Sequence, residues 1–366
     1  MFMGGKLKIG VACGGTGGHI FPGLATANVL VDRGHDVTLW LAGKDIEHDA
    51  VKNWTGKIVT IPSEGFQFGV SMRSLLTFKK LYQAYRLALV PMRKDRPDVL
   101  LAMGSYASFG PVKAASKLKI PYVLHEANLV PGRAVSLLAR KAHTVAVSFD
   151  KSRFYLKHSN IETTGMPLRK NLQQSSAVGQ RDWDPNEPLR ILIVGGSRGA
   201  QVLNEVVPHA IAAAVGKGVV VEVEHVAGLQ ETDEIVRIYD EAGIKARVHH
   251  FVQDMENLYL NADLAICRSG AATCAELAAF AVPALFIPYP FAVRDHQMSN
   301  ARVLQDFGAA DVVAQEDLTA TWLCDYLVNV FQKPERLDRM TAAMKKRAQT
   351  DAADRLADLL ERVAGA

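Results

Sequence analysis

Two glycine-rich segments open the two halves of the chain and could bind phosphate. The first, CGGTGGH, begins at Cys13 after the apolar run LKIGVA, and the second, GGSRGA, begins at Gly195 after LRILIV. Aligning Gly14 with Gly195 also aligns Thr16 with Ser197. A strand that ends in such a loop and opens a helix leaves backbone N–H groups exposed at the positive end of that helix, which suits an anion. The repeated pattern therefore favours phosphate binding in both halves over two tight turns without a ligand.

A third helix start of this kind follows the apolar segment Leu264–Cys267. It reads RSGAATCAE from Arg268 to Glu276. A helix end alone stabilises an anion weakly, so a leaving diphosphate would need further donors, which Arg268, Arg169 or Ser197 could supply. Glu276, one turn into the helix, could accept hydrogen bonds from two ribose hydroxyls, or it could simply face solvent.

Dinucleotide and nucleoside-triphosphate motifs fit these loops poorly. A G-x-G-x-x-G pattern started at Gly15 places Ile20 at the third glycine, and Ala42, Gly43 and Lys44 follow Leu41, without an acidic residue at the strand end to bind a ribose. Neither glycine run continues to Gly-Lys-(Ser/Thr). The pattern therefore points away from a nicotinamide oxidoreductase or a kinase, although an oxidoreductase stays open as an alternative.

Short β-branched segments alternate with helical periodicity along the whole chain, which is typical of parallel sheets covered on both faces. A segment without apolar periodicity, rich in Gln, Ser, Asp and Pro, interrupts this alternation after residue 170 and indicates a linker. We infer two similar Rossmann-like domains that face each other across a cleft. The predicted strands cover residues 8–12, 36–41, 99–102, 122–125, 144–147, 190–194, 219–225, 247–251, 264–267, 284–287 and 310–313.

Length and composition agree with a two-domain globular protein. The chain has 366 residues, of which 49% are apolar and 22% charged, which excludes disordered, collagen-like and coiled-coil classes. Its four cysteines form no C-x-x-C pair, so we expect neither a disulfide framework nor a cysteine-built zinc site. No signal peptide is visible, and the longest apolar stretch, 281–293, contains three prolines and is too short to span a membrane.

Charge is unevenly distributed along the chain. Residues 1–165 hold 22 Lys and Arg against 11 Asp and Glu, whereas the remainder holds 20 against 27. Residues 72–96 combine seven basic residues and one acid with many aromatic and aliphatic side chains. A basic amphipathic segment is typical of proteins that bind a membrane surface, although a buried helix with extended lysines would share the pattern. No basic-aromatic module indicates nucleic acid.

Six motifs occur in an order that resembles the MurG family of bacterial N-acetylglucosaminyltransferases. The resemblance runs from about Lys8 to the helix after Asn300. The motifs are CGGTGGH with PG from Pro22, HEAN from His125, GMPLR from Gly165, GGSRGA from Gly195, CRSGAATxxE from Cys267, and DHQxxNA from Asp295.

This resemblance implies a GT-B fold, with the acceptor in the N-terminal domain and the UDP-sugar mainly in the C-terminal one. We accordingly expect an N-terminal acceptor and membrane-facing domain over residues 1–165, a linker over 166–188, and a UDP-GlcNAc-binding domain over 189–345. Residues 346–366 should form a C-terminal helix, and its return to the first domain, which is common in GT-B chains, stays open.

The resemblance also implies the site residues. Predicted contacts to UDP-GlcNAc are Thr16, Gly17, Gly18, Asn128, Arg169, Ser197, Val252, Ala271, Ala272, Thr273, Cys274, Ala275, Glu276 and Gln297. Predicted contacts to the acceptor are Gly14, Gly15, Tyr106 and Ser108. One loop departs from the family pattern GGYxSGP: here it reads GSYASFGP from Gly104, with Ser105 in place of glycine and an additional Phe109.

The implied reaction is attack of the muramyl 4-hydroxyl of lipid I on the anomeric carbon of GlcNAc, with inversion and loss of UDP. His19 is the first candidate for the general base, because it adjoins the glycine loop and imidazole titrates near neutral pH. A role for His19 in binding phosphate or capping the helix is the alternative. Glu126 and Arg268 complete the predicted catalytic set, with His125 as a rival to His19. No cofactor or metal is expected, since the only D-x-D triplet, residues 182–184, lies in the linker.

The expected partners are UDP-GlcNAc, lipid I and an anionic membrane surface, with other cell-wall synthesis proteins as a further possibility. The expected location is the cytoplasmic face of the bacterial inner membrane, where the enzyme would be peripheral and serve peptidoglycan synthesis. Other GT-B enzymes, such as a diacylglycerol glycosyltransferase or a UDP-GlcNAc 2-epimerase, stay open as alternatives. The remaining alternative is a nucleotide-sugar-binding module without turnover.

Overall fold

The computed structural model describes residues 5–43, 51–62, 72–177, 179, 183–196 and 200–365, with side chains from residue 79 onward in the helix that begins at Met72. The chain divides into two compact units. Unit 1 comprises Met1–Lys170 and Thr350–Ala366, and unit 2 comprises Asn171–Gln349.

Strands and helices alternate through both units. The strands are β1 Lys8–Ala12, β2 Asp36–Leu41, β3 Lys57–Thr60, β4 Val99–Ala102, β5 Tyr122–Glu126, β6 Thr144–Val147, β7 Ile161–Thr163, β8 Leu189–Val194, β9 Val221–Val226, β10 Lys245–His249, β11 Leu264–Cys267, β12 Ala284–Phe286 and β13 Ala310–Val312. The helices are α1 Gly17–Asp32, α2 Met72–Lys94, α3 Phe109–Leu118, α4 Arg133–Leu138, α5 Lys170–Ser176, α6 Gln201–Gly216, α7 Asp233–Glu241, α8 Met255–Leu260, α9 Ala271–Ala279, α10 His296–Asp306, α11 Ala320–Gln332, α12 Pro334–Lys345 and α13 Ala352–Ala364.

Unit 1 is built on a parallel sheet with the order β3-β2-β1-β4-β5-β6-β7. Its central strands β4, β5 and β6 are buried along their whole length. Apolar clusters cover both faces, as a parallel sheet between two helical layers requires. Gly10 in β1 suits this packing, because a Cβ there would lie 2.9 Å from Leu100 Cδ1 and one of the two would have to shift.

Helices α2 and α3 pack closely on one face of this sheet. The buried residues of α2 are Leu81, Ala84, Ala88 and Met92, spaced as one helical face. Gly110 at the start of α3 permits the close approach, since a Cβ there would lie 2.8 Å from the carbonyl oxygen of Ala84.

The C-terminal helix α13 belongs to unit 1 and packs on α1. Its apolar face, which includes Leu356 and Leu360, joins the cluster under α1. Arg33 at the end of α1 forms ion pairs with Asp354 at 3.1 Å and Asp358 at 2.6 Å. A sequence-distant helix thus completes the core of the N-terminal unit.

Unit 2 repeats the architecture with a parallel sheet in the order β10-β9-β8-β11-β12-β13. Helices α6 and α11 pack on the same apolar cluster as β8. Under α6, the buried His225 bonds Asn204 Oδ1 through Nε2 at 3.1 Å and the Tyr239 hydroxyl through Nδ1 at 3.0 Å. Both ring nitrogens of this histidine are therefore satisfied inside the core.

These sheets confirm the prediction of two Rossmann-like domains with parallel sheets. Two described strands were not predicted, β3 and β7, and both lie at a sheet edge and lack a buried apolar run. The segment expected to be a linker contains the short helix α5. No helix among the described residues is long and apolar enough to cross a membrane.

Candidate functional site

Each sheet reverses its strand order at one point, between β1 and β4 in unit 1 and between β8 and β11 in unit 2. Ligands of open α/β sheets bind beyond the carboxyl ends of the strands at such a switch point. The glycine loops follow β1 and β8, so each lies at the switch point of its own unit. Ser197, in the second loop, lies outside the described residues.

The loop after β1 leads directly into α1. Gly14 is buried, whereas Thr16 and Gly18 are exposed. Gly15 has a φ of +121°, in the region that favours glycine. Thr16 occupies the N-cap without a capping bond from its side chain, and the first turn of α1 carries no acidic residue. The start of α1, which includes the predicted Gly17, therefore suits an anionic ligand.

His19 stands in the first turn of α1 and is half-buried. Its Nδ1 lies 2.9 Å from Thr16 Oγ1, and its backbone N–H donates to the Thr16 carbonyl at 2.9 Å. In a neutral imidazole only one ring nitrogen carries the proton. A role as general base through Nε2 therefore requires Nδ1–H to donate to the Thr16 hydroxyl.

The segment after β4 lies beside this loop. Gly104 has a φ of +78°, and a Cβ there would lie 2.8 Å from the carbonyl oxygen of His125. Of the predicted acceptor residues, Tyr106 is half-buried, while Ser108 is fully buried and donates to the Ala12 carbonyl at 3.2 Å. Ser108 thus fastens this segment to the end of β1.

Glu126, at the end of β5, organises the turn that follows it. One carboxylate oxygen accepts from the backbone and side-chain amides of Asn128 at 2.9 and 3.2 Å, and the other accepts from Gly132 N at 2.8 Å. Burial raises the pKa of Glu126, although these hydrogen bonds act in the opposite direction. The contacts make Glu126 a residue that positions the half-buried Asn128.

His125 is fully buried beside Glu126 and belongs to the core. Its Nε2 donates to the Gly165 carbonyl at 2.9 Å, while Nδ1 has no partner among the described residues. Burial lowers the pKa of His125 to about 4, so the ring is neutral at physiological pH. These features are those of a structural histidine.

Arg169 lies next to the start of α1. Its guanidinium stacks on Phe21 at 5.0 Å from the ring centroid, and its Nε is buried without a hydrogen-bond partner among the described residues. Phe21 in turn lies against Gly17, where a Cβ would be 3.1 Å from the ring. The stack holds a positive charge beside the first glycine loop.

In unit 2, the loop between β11 and α9 is fastened to α10. Ser269 is fully buried, and its hydroxyl donates to the Gln297 carbonyl at 2.9 Å. Asn300, also fully buried, donates to the Ser269 carbonyl at 3.2 Å. The side-chain oxygen of Gln297 accepts from Tyr289 N at 2.9 Å, so Gln297 also ties down the segment after β12.

Arg268 stabilises the segment after β12 through hydrogen bonds from its guanidinium. Its guanidinium donates to the carbonyls of Ile287 at 2.9 Å and Pro288 at 3.2 Å, and to Gln315 Oε1 at 2.7 Å. Burial lowers the pKa of Arg268, which nevertheless stays cationic as guanidinium groups do. Both terminal nitrogens therefore have partners within unit 2, and the contacts give Arg268 a structural role.

Glu276 is held one turn into α9. Its Oε2 accepts from the Tyr259 hydroxyl at 2.7 Å. Tyr259 is a buried residue of α8, and its ring packs against Phe280 at 5.3 Å. Gly270 serves as N-cap of α9 without a side-chain capping bond. A fixed carboxylate thus stands near a helix start that suits phosphate.

The remaining predicted residues of unit 2 differ in exposure. Ala272, Thr273 and Ala275 are half-buried on α9, whereas Ala271 and Cys274 are buried. Burial raises the pKa of the Cys274 thiol, so this side chain is inert and only its backbone could face a ligand. Val252 follows β10 and is half-buried. It precedes α8, whose Tyr259 reaches Glu276.

Two residues that contact these predicted site residues were not predicted from sequence. Tyr259 and Phe21 act through other residues, and each is recognisable only from the partner it contacts. A charged or glycine-rich motif marks the residues that were predicted. An aromatic residue within an ordinary apolar segment offers no comparable signal.

Both halves of the chain match known glycosyltransferase domains. The N-terminal domain of glycosyltransferase family 28 matches residues 9–147, and its C-terminal domain matches residues 190–356. A Paraburkholderia phymatum protein is 40% identical over 364 residues, which span 97% of this chain and 94% of that protein. It is named UDP-N-acetylglucosamine--N-acetylmuramyl-(pentapeptide) pyrophosphoryl-undecaprenol N-acetylglucosamine transferase.

Solved structures of similar proteins support the same family assignment. MurG from Acinetobacter baumannii superposes with a TM-score of 0.79 at 30% identity, covering 98% of this chain and 99% of that one. A UDP-N-acetylglucosamine 2-epimerase superposes with a TM-score of 0.69 at 14% identity, covering 97% and 95%, which shows a shared fold alone. The chain therefore has the GT-B fold, and it belongs to glycosyltransferase family 28 and, within it, to the MurG family of N-acetylglucosamine transferases.

Proposed function

We propose that this enzyme transfers GlcNAc from UDP-GlcNAc to the 4-hydroxyl of MurNAc in undecaprenyl-pyrophosphoryl-MurNAc-pentapeptide, with inversion, in peptidoglycan synthesis. The identity of both substrates follows the names of relatives that match almost the whole chain. The structural observation that carries the proposal is the site in unit 2, where a fixed carboxylate accompanies a helix start. This pairing suits the ribose and diphosphate of a nucleotide sugar.

In the proposed donor complex, Glu276 accepts hydrogen bonds from the ribose hydroxyls. Its bond from Tyr259 fixes the carboxylate before the ligand arrives, which lowers the entropy lost on binding. The first turn of α9 faces the diphosphate, and Val252 offers backbone atoms to the uracil. Gln297, held through Tyr289 and Ser269, contacts the sugar from the segment after β12.

In the proposed acceptor complex, His19 removes the proton from the attacking hydroxyl. Its ring is oriented by Thr16, which would hold Nδ1–H and leave Nε2 to accept the proton. Asn128, positioned by Glu126, orients the sugar, and Arg169 offers charge to a diphosphate near the start of α1. Attack then breaks the bond between the anomeric carbon and the UDP oxygen, and UDP leaves with the bonding electrons.

Stabilisation of the leaving UDP is assigned to the start of α9 in unit 2. Preorganised donors of this kind stabilise developing charge by about 3 kcal/mol each. We therefore expect turnover to continue in EDTA, measured with purified enzyme after dialysis against the chelator. Complete loss that only Mg²⁺ or Mn²⁺ restores would contradict this assignment.

We further propose that α2 docks unit 1 on an anionic membrane as a peripheral contact. Opposite its buried face, Tyr82, Leu87 and Val90 are 59%, 42% and 70% exposed. Exposed basic residues surround them, namely Lys79, Lys80, Arg86, Arg93 and Lys94. Each basic side chain near an anionic leaflet contributes about 1 kcal/mol, so this face would give reversible binding without an anchor.

A transfer assay tests the proposed reaction. Radiolabelled UDP-GlcNAc is supplied with a lipid I analogue, and diacylglycerol serves as the competing acceptor and UDP-glucose as the competing donor. We expect label to enter the lipid I analogue alone, and only from UDP-GlcNAc. Transfer to diacylglycerol, or UDP-GlcNAc binding without transfer to any acceptor, would contradict the proposal.

A further inference from the structure

A cavity of about 460 Å³ lies at the amino end of the sheet in unit 1. It is lined by residues 8–10 of β1, by Asp36 and Thr38 of β2, by Lys57 at the start of β3, and by Asp95, which follows α2. The first glycine loop follows the carboxyl end of β1, so the cavity and this loop are at opposite ends of the same sheet. Its volume falls within the range of small-molecule sites.

The indole of Trp40 lines this cavity and is directed toward the amino end of the sheet. Trp40 is in register with Ala12 of β1, yet its Nε1 lies 3.1 Å from the position that a Cβ on Gly10 would occupy, two residues earlier in β1. Gly10 also lines the cavity. Trp40 is 3% exposed, and its Nε1 has no hydrogen-bond partner among the described residues. Since buried indole N–H groups normally have a partner, this donor is available to a molecule in the cavity.

A second indole lines the cavity before the start of β3. Trp54 is half-buried, and its Nε1 is likewise buried without a partner in the described part of the chain. A Cβ on Gly56 would lie 2.9 Å from this nitrogen, so the backbone passes close to the ring. Trp40 and Trp54 thus each contribute an aromatic ring and an unused donor to the lining.

The charged side chains that line the cavity are paired. Asp95 accepts from Lys8 Nζ at 2.9 Å and from Lys57 Nζ at 2.7 Å, which connects the ends of β1 and β3. Asp36 pairs with Lys6 at 2.7 Å. The two lining lysines, Lys8 and Lys57, therefore balance the two lining carboxylates. Because an ammonium group has three donors and a carboxylate has about four acceptor sites, these groups can form further hydrogen bonds.

This lining restricts the class of ligand. Balanced charge favours neither an anion nor a cation, whereas a mixture of donors and acceptors suits hydroxyl groups, which act as both. An indole N–H requires an acceptor, which the carbonyl of a neutral amide provides. Tryptophan rings add apolar surface that suits the C–H face of a pyranose. An uncharged sugar with an acetamido group combines all of these features.

We propose that this cavity binds an uncharged N-acetylated sugar. The acetamido carbonyl accepts a hydrogen bond from Trp40 Nε1, and the sugar hydroxyls bond to Lys57 and Asp95. The site is distinct from the UDP-GlcNAc site proposed in unit 2. It goes beyond the proposed function and does not depend on transfer activity, so a negative transfer assay would leave it standing.

Fluorine NMR of enzyme labelled with 5-fluorotryptophan tests the site without turnover. The chain has four tryptophans, and Trp54→Phe, Trp183→Phe and Trp322→Phe assign their signals. Excess UDP is present throughout, so that the nucleotide site proposed in unit 2 stays occupied. We expect N-acetylglucosamine to shift the Trp40 and Trp54 signals saturably and to leave those of Trp183 and Trp322, in unit 2, unchanged. A Trp40 signal that does not shift saturably would overturn the proposal.

Two comparison sugars test the class of ligand in the same titration. Glucose lacks the acetamido group, and glucosamine carries an ammonium group in its place. We expect both to bind at least tenfold more weakly than N-acetylglucosamine, because neither provides a carbonyl for the buried donor. Equal affinity for glucose, or tighter binding of glucosamine, would overturn the proposal.

Lys57→Met tests the rim, and Lys217→Met is its matched control. Lys57 and Lys217 are 50% and 52% exposed, and each forms an ion pair of 2.7 Å, with Asp95 and with Asp325 of unit 2 respectively. Both variants should keep their Tm within a few degrees of the wild type, since exposed ion pairs contribute little to stability. Lys57→Met should weaken the affinity for N-acetylglucosamine about tenfold, whereas Lys217→Met should not change it. Equal affinities in the two variants would overturn the proposal.

Discussion

The two switch points are built from the same topology but differ in how their polar side chains are satisfied. In unit 2, Ser269 donates to the Gln297 carbonyl, and Arg268 donates to the Ile287 carbonyl and to a neighbouring side-chain oxygen. In unit 1, the buried polar atoms near the loops have fewer partners. All five buried side-chain atoms without a hydrogen bond in the described residues belong to unit 1, and two of them, Ser105 Oγ and Arg169 Nε, flank α1.

This difference indicates in which unit the polar side chains are already held in place before a ligand binds. The polar network of unit 2 resembles a preformed nucleotide pocket, in which the ligand finds groups already fixed. Unit 1 keeps buried polar atoms without partners among the described residues, so a ligand that bonded to them should also stabilise it. A glycine loop at a switch point therefore does not by itself specify how rigid the site is.

The largest expected effect tests whether unit 1 supplies the base. His19→Ala should lower kcat about 10²- to 10⁴-fold, the usual contribution of a general base, while the KM for UDP-GlcNAc changes little. Steady-state kinetics of the transfer reaction measure both. Thr16→Ala is the matched variant, since it removes the hydroxyl that orients Nδ1, and we expect an intermediate loss. Undiminished kcat in His19→Ala would exclude the base role.

Charge reversal on α2 tests whether unit 1 alone binds the membrane. Lys79→Glu with Lys80→Glu should weaken co-sedimentation with anionic vesicles about 30-fold or more, because each lost positive charge removes about 1 kcal/mol and each new negative charge adds repulsion. Lys345→Glu with Lys346→Glu, exposed residues of unit 2, should leave binding unchanged. Binding insensitive to the α2 charges and to salt would refute docking through this face.

Buried histidines allow the two units to be compared by pH. Burial lowers the pKa of His125 in unit 1 and of His225 in unit 2 to about 4, below the ordinary value of 6.5. Because the folded state holds each ring in its neutral form, the folded state keeps its full stability above pH 6.5. This stability is lost as the pH falls toward 4, where the unfolded chain binds protons that the folded chain does not. Each ring should therefore contribute about 2 kcal/mol to the loss of stability between pH 7 and pH 4.5.

Denaturant unfolding of His125→Gln and His225→Gln at the two pH values measures this contribution. Each variant should lose about 2 kcal/mol less on acidification than the wild type, whereas the exposed His209→Gln should lose as much as the wild type. At pH 7 we expect the larger destabilisation from His225→Gln, since both of its ring nitrogens are bonded. An acid loss in His125→Gln equal to that of the wild type would contradict its neutral burial.

The smallest of these effects tests the preformed site in unit 2. Tyr259→Phe removes the hydrogen bond that fixes Glu276, so the KM for UDP-GlcNAc should rise about tenfold with kcat little changed. Tyr326→Phe is the control, because its hydroxyl donates to Asp311 at 2.8 Å in another part of unit 2. Equal KM values in the two variants would argue against a positioning role for Tyr259.

Sequence periodicity predicted most strands, because buried parallel strands are short runs of apolar residues. It failed where burial is incomplete. Strand β3, at a sheet edge, begins with exposed Lys57 and Ile58, and the predicted strand at 247–251 is shifted from β10 because Phe251 is 75% exposed. The helix α5 was missed because its sequence has no apolar periodicity to reveal it.

The candidate sites were predictable to the extent that backbone conformation determines them. Glycine loops and helix starts are visible in sequence, since few residue types adopt their geometry. The roles of Glu126 and Arg268 were not, because a charged side chain can serve a ligand or the protein's own amides and carbonyls. Only the tertiary contacts of Glu126 with Gly132, and of Arg268 with Ile287, distinguish the two.

The position of α13 has a consequence for biosynthesis. Unit 2 is a continuous stretch, whereas unit 1 joins its first 170 residues to a helix that follows the whole of unit 2. During translation α13 therefore cannot join the apolar cluster under α1 until residues 352–364 emerge from the ribosome. The nascent chain therefore completes its second unit before its first.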